Sequence, residues 1–259
     1  MGLFFPDDPN YDEAARQTGF YRYRQLISNR FGRWLKINLL TVIGFIPLAI
    51  GLFAAIASSS VLVLIPTSVL GGAFAGPFLA GMFDAIMRGL RDDYTPWWEA
   101  WLRSWRQNGA GAAVAGAVLG FLLGMYVFTA MLFWWAETLP TLGTVMLYLT
   151  SLLFLIVINT LFWPQLVLFR QTAVTRFRNC VLFFVKYFWR VMGAGVLQLV
   201  YWAVYVLFAP WTLLLLPFLG FWYILFLSQL IIYSRLDMEL HIEELIEGQQ
   251  SGNSPEEDD

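Results

Sequence analysis

The chain has 259 residues, of which 59% are hydrophobic and only 13% are charged, and its formal net charge is −2. A soluble domain carries about 25% charged residues, so this composition excludes a globular protein whose surface is mostly wet. The single cysteine, Cys180, excludes a disulfide framework and a thiolate metal site.

Six apolar stretches are long enough to cross the hydrocarbon core of a bilayer, which takes about 20 mostly apolar residues. They cover about 37–57, 64–87, 110–135, 142–169, 191–209 and 211–233. Little more than Pro210 separates the last two, which we interpret as a tight hairpin. The sequence therefore predicts an all-α integral membrane protein whose six transmembrane helices form three hairpins, with interfacial amphipathic helices on the cytoplasmic side.

The basic residues give this arrangement its direction. All 16 lysines and arginines fall on one side of the six-span arrangement, and the positive-inside rule makes that side cytoplasmic. We therefore expect both termini and Cys180 to face the cytosol and Ser59, Glu137 and Pro210 to face outward. This is the pattern of a multi-pass protein of the bacterial cytoplasmic (inner) membrane.

The membrane domain, residues 35–233, is predicted to lie between two cytoplasmic segments. Residues 1–34 form an arm, and within it the stretch from Phe20 to Trp34 suits an interfacial helix. The stretch from Arg176 to Arg190, before the fifth span, also suits one. Residues 234–259 form an acidic tail in which the last helix is expected to continue to Gly248. The remaining residues have the composition of a disordered segment.

Small residues recur at every fourth position in the second and third spans. Gly72 and Gly76 share one helix face, and Gly116, Gly120 and Gly124 share another. Helices associate in membranes where small residues let their backbones approach closely, so we expect these faces to pack against other helices. A solute path lined by glycines is the alternative interpretation.

The segment between the second and third spans is rich in tryptophan and arginine. Thr95 suits an N-cap and Pro96 the first helical position, which predicts a helix lying along the membrane surface. This helix either anchors the chain or contacts a partner. The residues expected to meet lipid headgroups or a partner are Trp98, Trp101, Arg103, Trp105 and Arg106.

Few strongly polar side chains lie inside the predicted spans. Asp84 is four residues from Arg88 and is expected to pair with it. Asn159 and Gln165 are candidates for hydrogen bonds between helices or for the lining of a pathway. No metal-ligand spacing, no nucleophile with its base and no phosphate-binding loop is present, so we expect neither catalytic residues nor a cofactor.

Residues 81–109 contain Arg91-Asp92-Asp93 and Trp105-Arg106-Gln107-Asn108, and with these motifs the chain resembles the YesL-like family of bacterial membrane proteins. The start Gly2-Leu3-Phe4, the entry Leu35–Leu39 to the first span and Arg176-Phe-Arg-Asn179 before the fifth are also similar, so the resemblance extends over most of the chain. It implies a function that is uncharacterised but often encoded near carbohydrate uptake systems. It supplies no catalytic residues.

Two functions from different classes are compatible with these features. The first is a non-enzymatic accessory or regulatory partner of a membrane complex, such as a carbohydrate uptake system. The alternative is a small-solute transporter or channel with its own pathway near Gly72–Pro77 and Asn159–Gln165. In both cases the expected partners are membrane lipids, including anionic headgroups on the cytoplasmic side, and in the first case a membrane protein complex; nucleic acid is not expected.

Overall fold

The computed structural model describes residues 19–93, 95–136 and 140–242, and within these ranges every regular element is a helix. The predictions for Glu137, for the first half of the arm and for the disordered end of the tail lie outside the described residues. The helices are α1 Gly19–Ser58, α2 Val61–Leu90, α3 Trp97–Trp135, α4 Leu142–Leu168, α5 Ala173–Lys186, α6 Phe188–Leu207, a 3₁₀ segment Trp211–Leu215, α7 Leu216–Leu219 and α8 Phe221–Leu240.

Five of these helices contain segments that are long and apolar enough to cross a membrane. They are Phe31–Ser58, Val61–Leu90, Trp97–Trp135, Leu142–Leu168 and Phe188–Leu207. A sixth candidate is a broken one, because Trp211–Leu219 and Phe221–Leu240 pass the same test together but meet at an angle of 60°. The chain is therefore an all-helical, multi-pass membrane protein with five or six candidate spans.

Of the three stretches predicted as interfacial helices, Arg176 to Arg190 falls on α5 and the start of α6, and the other two are not separate helices. Residues 20–34 belong to α1, and residues 97–106 are the first turns of α3, which continues without interruption to Trp135. Gly109 and Gly111 fall in α3, but a glycine in a helix costs only about 1 kcal/mol, which packing against a neighbouring helix readily offsets. The N-cap of α3 is Pro96 rather than Thr95.

The predicted last span is interrupted at Gly220, where α7 ends and α8 begins. A break inside an apolar span strands carbonyls on one side and N–H groups on the other. Asn38 of α1 satisfies both sides: its Nδ2 donates to the carbonyls of Leu216 (2.9 Å) and Pro217 (2.7 Å). Its Oδ1 accepts from the backbone N–H groups that open α8, at Phe221 (2.9 Å) and at Trp222 (3.3 Å).

Helix α2 is the centre of the bundle and packs against α1, α3, α4 and α8. Large aromatic side chains fill the space around it. The Trp34 and Trp222 rings stack with centroids 6.1 Å apart, and the Phe83 ring stacks on Trp163 at the same separation. These four rings are almost completely buried, so the core joins α1, α2, α4 and α8.

The end of α8 differs from the prediction. The helix ends at Leu240, where His241 adopts a left-handed conformation (φ 47°, ψ 45°), and so does not continue unbroken to Gly248. Glu239 in its last turn accepts hydrogen bonds from Lys186 Nζ and from the Tyr187 hydroxyl. These bonds tie the end of α8 to the junction between α5 and α6.

Candidate functional site

Charged side chains gather where α2 ends and the chain turns toward α3. Arg88 bridges two carboxylates, with Nε 2.9 Å from Asp84 Oδ2 and Nη1 2.6 Å from Asp93 Oδ2. The predicted pairing of Asp84 with Arg88 is therefore present. Arg88 also pairs with a second carboxylate, Asp93, which the spacing along the helix did not indicate. Asp84 is only 5% exposed, and a buried carboxylate needs such a partner.

Arg22 joins this cluster from α1. Its Nη2 donates to the Leu90 carbonyl (3.1 Å) and lies 2.6 Å from Asp92 Oδ2. The Leu90 carbonyl is among the last four of α2, which lack partners within the helix. Arg22 thus caps the C-terminus of α2 with a positive charge, where the helix dipole favours one.

The turn itself is fixed by Asp93. Its Oδ1 accepts from the backbone N–H (2.9 Å) and the hydroxyl (2.6 Å) of Thr95. Partial burial opposes ionisation of Asp93, but the hydrogen bonds from Thr95 and the charge of Arg88 outweigh it and lower the pKa of Asp93 to about 2. Burial lowers the pKa of the neighbouring Arg91, whose Nη1 has no hydrogen-bond partner within the described residues. These contacts join α1, the end of α2 and the turn that leads into α3. Both Asp84 and Asp93 are paired with Arg88.

The tryptophans at the start of α3 serve different roles. Trp101 is only 7% exposed and lies over Gly81 of α2, where a Cβ would overlap its indole ring. Trp105 packs edge-on against Phe78 of α2, with ring centroids 4.7 Å apart. Trp98, which is 50% exposed, stacks on the outer side of Trp101. Trp101 and Trp105 therefore anchor α3 to α2, and of the three only Trp98 presents a largely open surface.

Trp101 Nε1 is buried without a hydrogen-bond partner in the described part of the chain. The spacing of the tryptophans showed that they share one side of a helix but could not show that α2 offers a glycine beneath one of them. Arg103 and Arg106 are exposed on α3, and Lys36 of α1 lies over the Trp97 ring at 5.6 Å.

The glycine faces of α2 and α3 meet each other. A Cβ on Gly72 would overlap the Gly116 carbonyl, and one on Gly76 would overlap the Ala112 carbonyl. Gly120 lies against Gly72, and Gly124 lies against Ser68. The cavity beside this contact measures about 10 Å³, and a water needs about 10–15 Å³ together with polar partners. These glycines bring two backbones together and leave no passage between them.

Asn159 and Gln165 form hydrogen bonds within α4 or to the neighbouring helix α5. Asn159 Nδ2 donates to Leu155 within α4, and its Oδ1 accepts from Trp163 Nε1 at 3.0 Å. Gln165 Nε2 contacts the Leu161 carbonyl and, across to α5, the sulfur of Cys180 at 3.3 Å. Neither residue joins Asp84 in a continuous polar path.

A polar junction that the spacing of residues did not reveal lies around Thr160. Gln198 of α6 donates to its hydroxyl (2.6 Å), and Gln229 of α8 donates to its carbonyl (2.8 Å). Polar side chains within spans can bond between helices, and both glutamines do so here. Thr160 carries no sequence signal of this role, because a threonine in an apolar helix ordinarily bonds its own backbone.

Within the described residues, no group of three or more His, Cys, Asp or Glu side chains is arranged to hold a metal ion. Comparison with known proteins adds no relative: no family model, no curated protein and no solved structure matches the chain.

Proposed function

We propose that this chain is a non-enzymatic protein of the bacterial cytoplasmic membrane that assists or regulates a partner membrane complex. Its contact surface is the exposed start of α3, which we name the α3 stripe and define as Trp98, Arg103 and Arg106. These residues lie on adjoining sides of the helix, with Arg106 about 80° and Arg103 about 140° around the axis from Trp98. The observation that carries the proposal is that this stripe is exposed on a rigid base: Trp98 is half-exposed and stacks on the buried Trp101.

The stripe has the chemistry of a protein contact. Tryptophan and arginine are the residues most enriched at the energetic centres of interfaces, and an aromatic ring held by its neighbours loses little entropy on binding. Since Trp101 is fixed against Gly81 and Trp105 against Phe78, the stripe has a preformed base. A preformed surface of this kind suits a partner that binds without rearranging the bundle.

The proposed orientation places the stripe in the cytoplasm together with both termini. It rests on the distribution of lysine and arginine, all 16 of which fall on one side of a six-span arrangement. On that side Arg103 and Arg106 also lie near anionic headgroups, at about 1 kcal/mol for each residue close to the surface. The resemblance to the YesL-like family supports a role beside a carbohydrate uptake system, and it remains a proposal.

The alternative of a transporter or channel has less support. A pathway near Gly72–Pro77 would have to separate α2 from α3, whose backbones touch there. A pathway near Asn159–Gln165 would have to use side chains that already bond within α4 or to α5. No contact in the described structure favours this function over the first.

The test is co-purification in mild detergent from the native membrane. A stripe variant, Trp98→Ala with Arg103→Gln and Arg106→Gln, should lose a protein that the unmodified chain retains. Trp134→Ala is the matched control, because Trp134 is 85% exposed at the opposite end of α3. Both variants should melt at the temperature of the unmodified protein. If the stripe variant keeps every co-purifying protein, the contact surface is not this stripe.

A further inference from the structure

A groove with a volume of about 310 Å³ lies between the first turns of α1 and the start of α8, away from the α3 stripe. This volume falls at the lower end of the range of about 300–1,000 Å³ that is typical of ligand sites. Its walls are almost entirely apolar: Ile27 and Phe31 line it from α1, and Leu219 and Trp222 line it from the α7–α8 break.

The polar side chains of the groove are Tyr23, Arg24 and Ser28 of α1 and Tyr223 of α8, and the two tyrosines hydrogen-bond to each other. Arg24 and Ser28 line it one turn apart on α1, and both are exposed. Trp222 is buried and donates its indole N–H to the Phe218 carbonyl, so the floor offers no free donor to a ligand. An apolar trough with a guanidinium beside it fits a molecule that has a long apolar part and an anionic head.

The position of the groove narrows the choice of molecule. Phe31 lies in the groove, shortly before the apolar stretch that starts at about residue 37, and Arg33 and Lys36 stand between the two. The groove therefore lies at the end of α1 that enters the membrane, where a bilayer's headgroups would meet its acyl chains. A guanidinium has five donors and can bind a phosphate in addition to other contacts that it makes.

We propose that this groove binds one phospholipid with an anionic headgroup, whose acyl chain lies on the exposed Phe31 and Leu219 and whose phosphate contacts Arg24. The site goes beyond the proposed function and does not depend on it, since the lipid would bind whether or not a partner complex exists. It would be a specific site, distinct from the lipid that surrounds any transmembrane helix.

The experiment places a photoreactive benzoylphenylalanine at Ser28 of the purified, full-length protein in vesicles of equal parts phosphatidylglycerol and phosphatidylcholine. A second protein carries the same group at Val114, which is 69% exposed on α3 and reports ordinary surrounding lipid. Mass spectrometry after irradiation identifies each product. The ratio of phosphatidylglycerol to phosphatidylcholine adducts at position 28 should exceed that at position 114 about fivefold, the factor given by one arginine near a headgroup.

Arg24→Gln should abolish this enrichment, while Arg178→Gln, which removes an exposed arginine on α5, should leave it intact. Equal melting temperatures of all variants exclude a folding defect as the cause. Adducts at position 28 with residues 1–18, with a second copy of the chain or with no preference between the two lipids would overturn the proposal. Because no partner protein is present, failure here leaves the proposed function standing.

Discussion

Replacing Asn38 with leucine should destabilise the protein more than any other single polar substitution within its spans. Asn38 is completely buried, and it bonds four backbone groups on the two sides of the break at Gly220. Leucine has a similar size, so the substitution removes the hydrogen bonds and leaves little cavity.

The expected magnitude follows from which groups lose a partner. The Leu216 carbonyl keeps its bond from the Gly220 N–H, but Pro217 O and Phe221 N lose the bonds that Asn38 supplies, and Trp222 N loses a longer one. Hydrogen bonds between membrane helices average about 0.6 kcal/mol, and stranding a buried backbone group costs about 1–3 kcal/mol. We expect Asn38→Leu to lower the free energy of unfolding by about 2–4 kcal/mol.

Thr41→Val is the matched control, because the hydroxyl of the buried Thr41 donates to the Ile37 carbonyl one turn earlier in α1, and the isosteric replacement strands no group at the break. It should cost less than about 1 kcal/mol, the net worth of an ordinary hydrogen bond. The assay is unfolding of the detergent-solubilised protein by titration with dodecyl sulfate, monitored by tryptophan fluorescence. If the two variants unfold at the same detergent fraction, the bonds of Asn38 do not hold the break together.

Three further perturbations address other contacts. Gly120→Leu should lower the melting temperature in detergent sharply, because its side chain would enter the Ser68 backbone on α2, whereas Gly193→Leu has open space and should have little effect. The pKa of Asp93 is lowered to about 2, so the stability that its ionised form contributes should be constant above about pH 4 and should be lost as the pH falls toward 2. Asp93→Asn should remove this pH dependence from melting temperatures measured over that range. Cys180 is 1% exposed, so a maleimide should modify the native protein slowly and the denatured protein at once; fast labelling of the native protein would contradict the packing of α5.

The burial of Cys180 also changes how the predicted topology must be tested. A label that fails to reach this residue in whole cells would report packing and not the side of the membrane. Exposed positions such as Ser59, on the turn after α1, and Arg178, on α5, are suitable sites for introduced cysteines in a chain whose own cysteine is replaced. Labelling from outside should then reach position 59 only.

The elements that the sequence located well are those whose signal is local. Apolar length alone identified the first five spans, because a helix that crosses hydrocarbon must keep every backbone bond inside the helix. The glycine spacing likewise indicated close contacts, and the structure places Gly72 and Gly120 against each other.

The elements that the sequence located poorly depend on residues far away in the chain. The break at Gly220 is possible because Asn38 supplies the missing partners, and no window of sequence around Gly220 contains that information. The start of α3 was predicted as a separate surface helix because its tryptophans resemble an interfacial anchor. Gly81 of α2 receives Trp101 instead, and the helix runs straight on into its span.

The bond set of Asn38 constrains the order in which the protein can be assembled. Asn38 lies in α1, and its partners lie between 178 and 184 residues later in the chain. Until those residues arrive, the asparagine amide must find temporary partners in the membrane or the insertion machinery. The broken segment, in turn, can settle in hydrocarbon only beside an α1 that is already in place. The docking of α7 and α8 onto α1 is therefore a late step of synthesis, and a chain shortened before Leu216 would leave the amide of Asn38 without these partners.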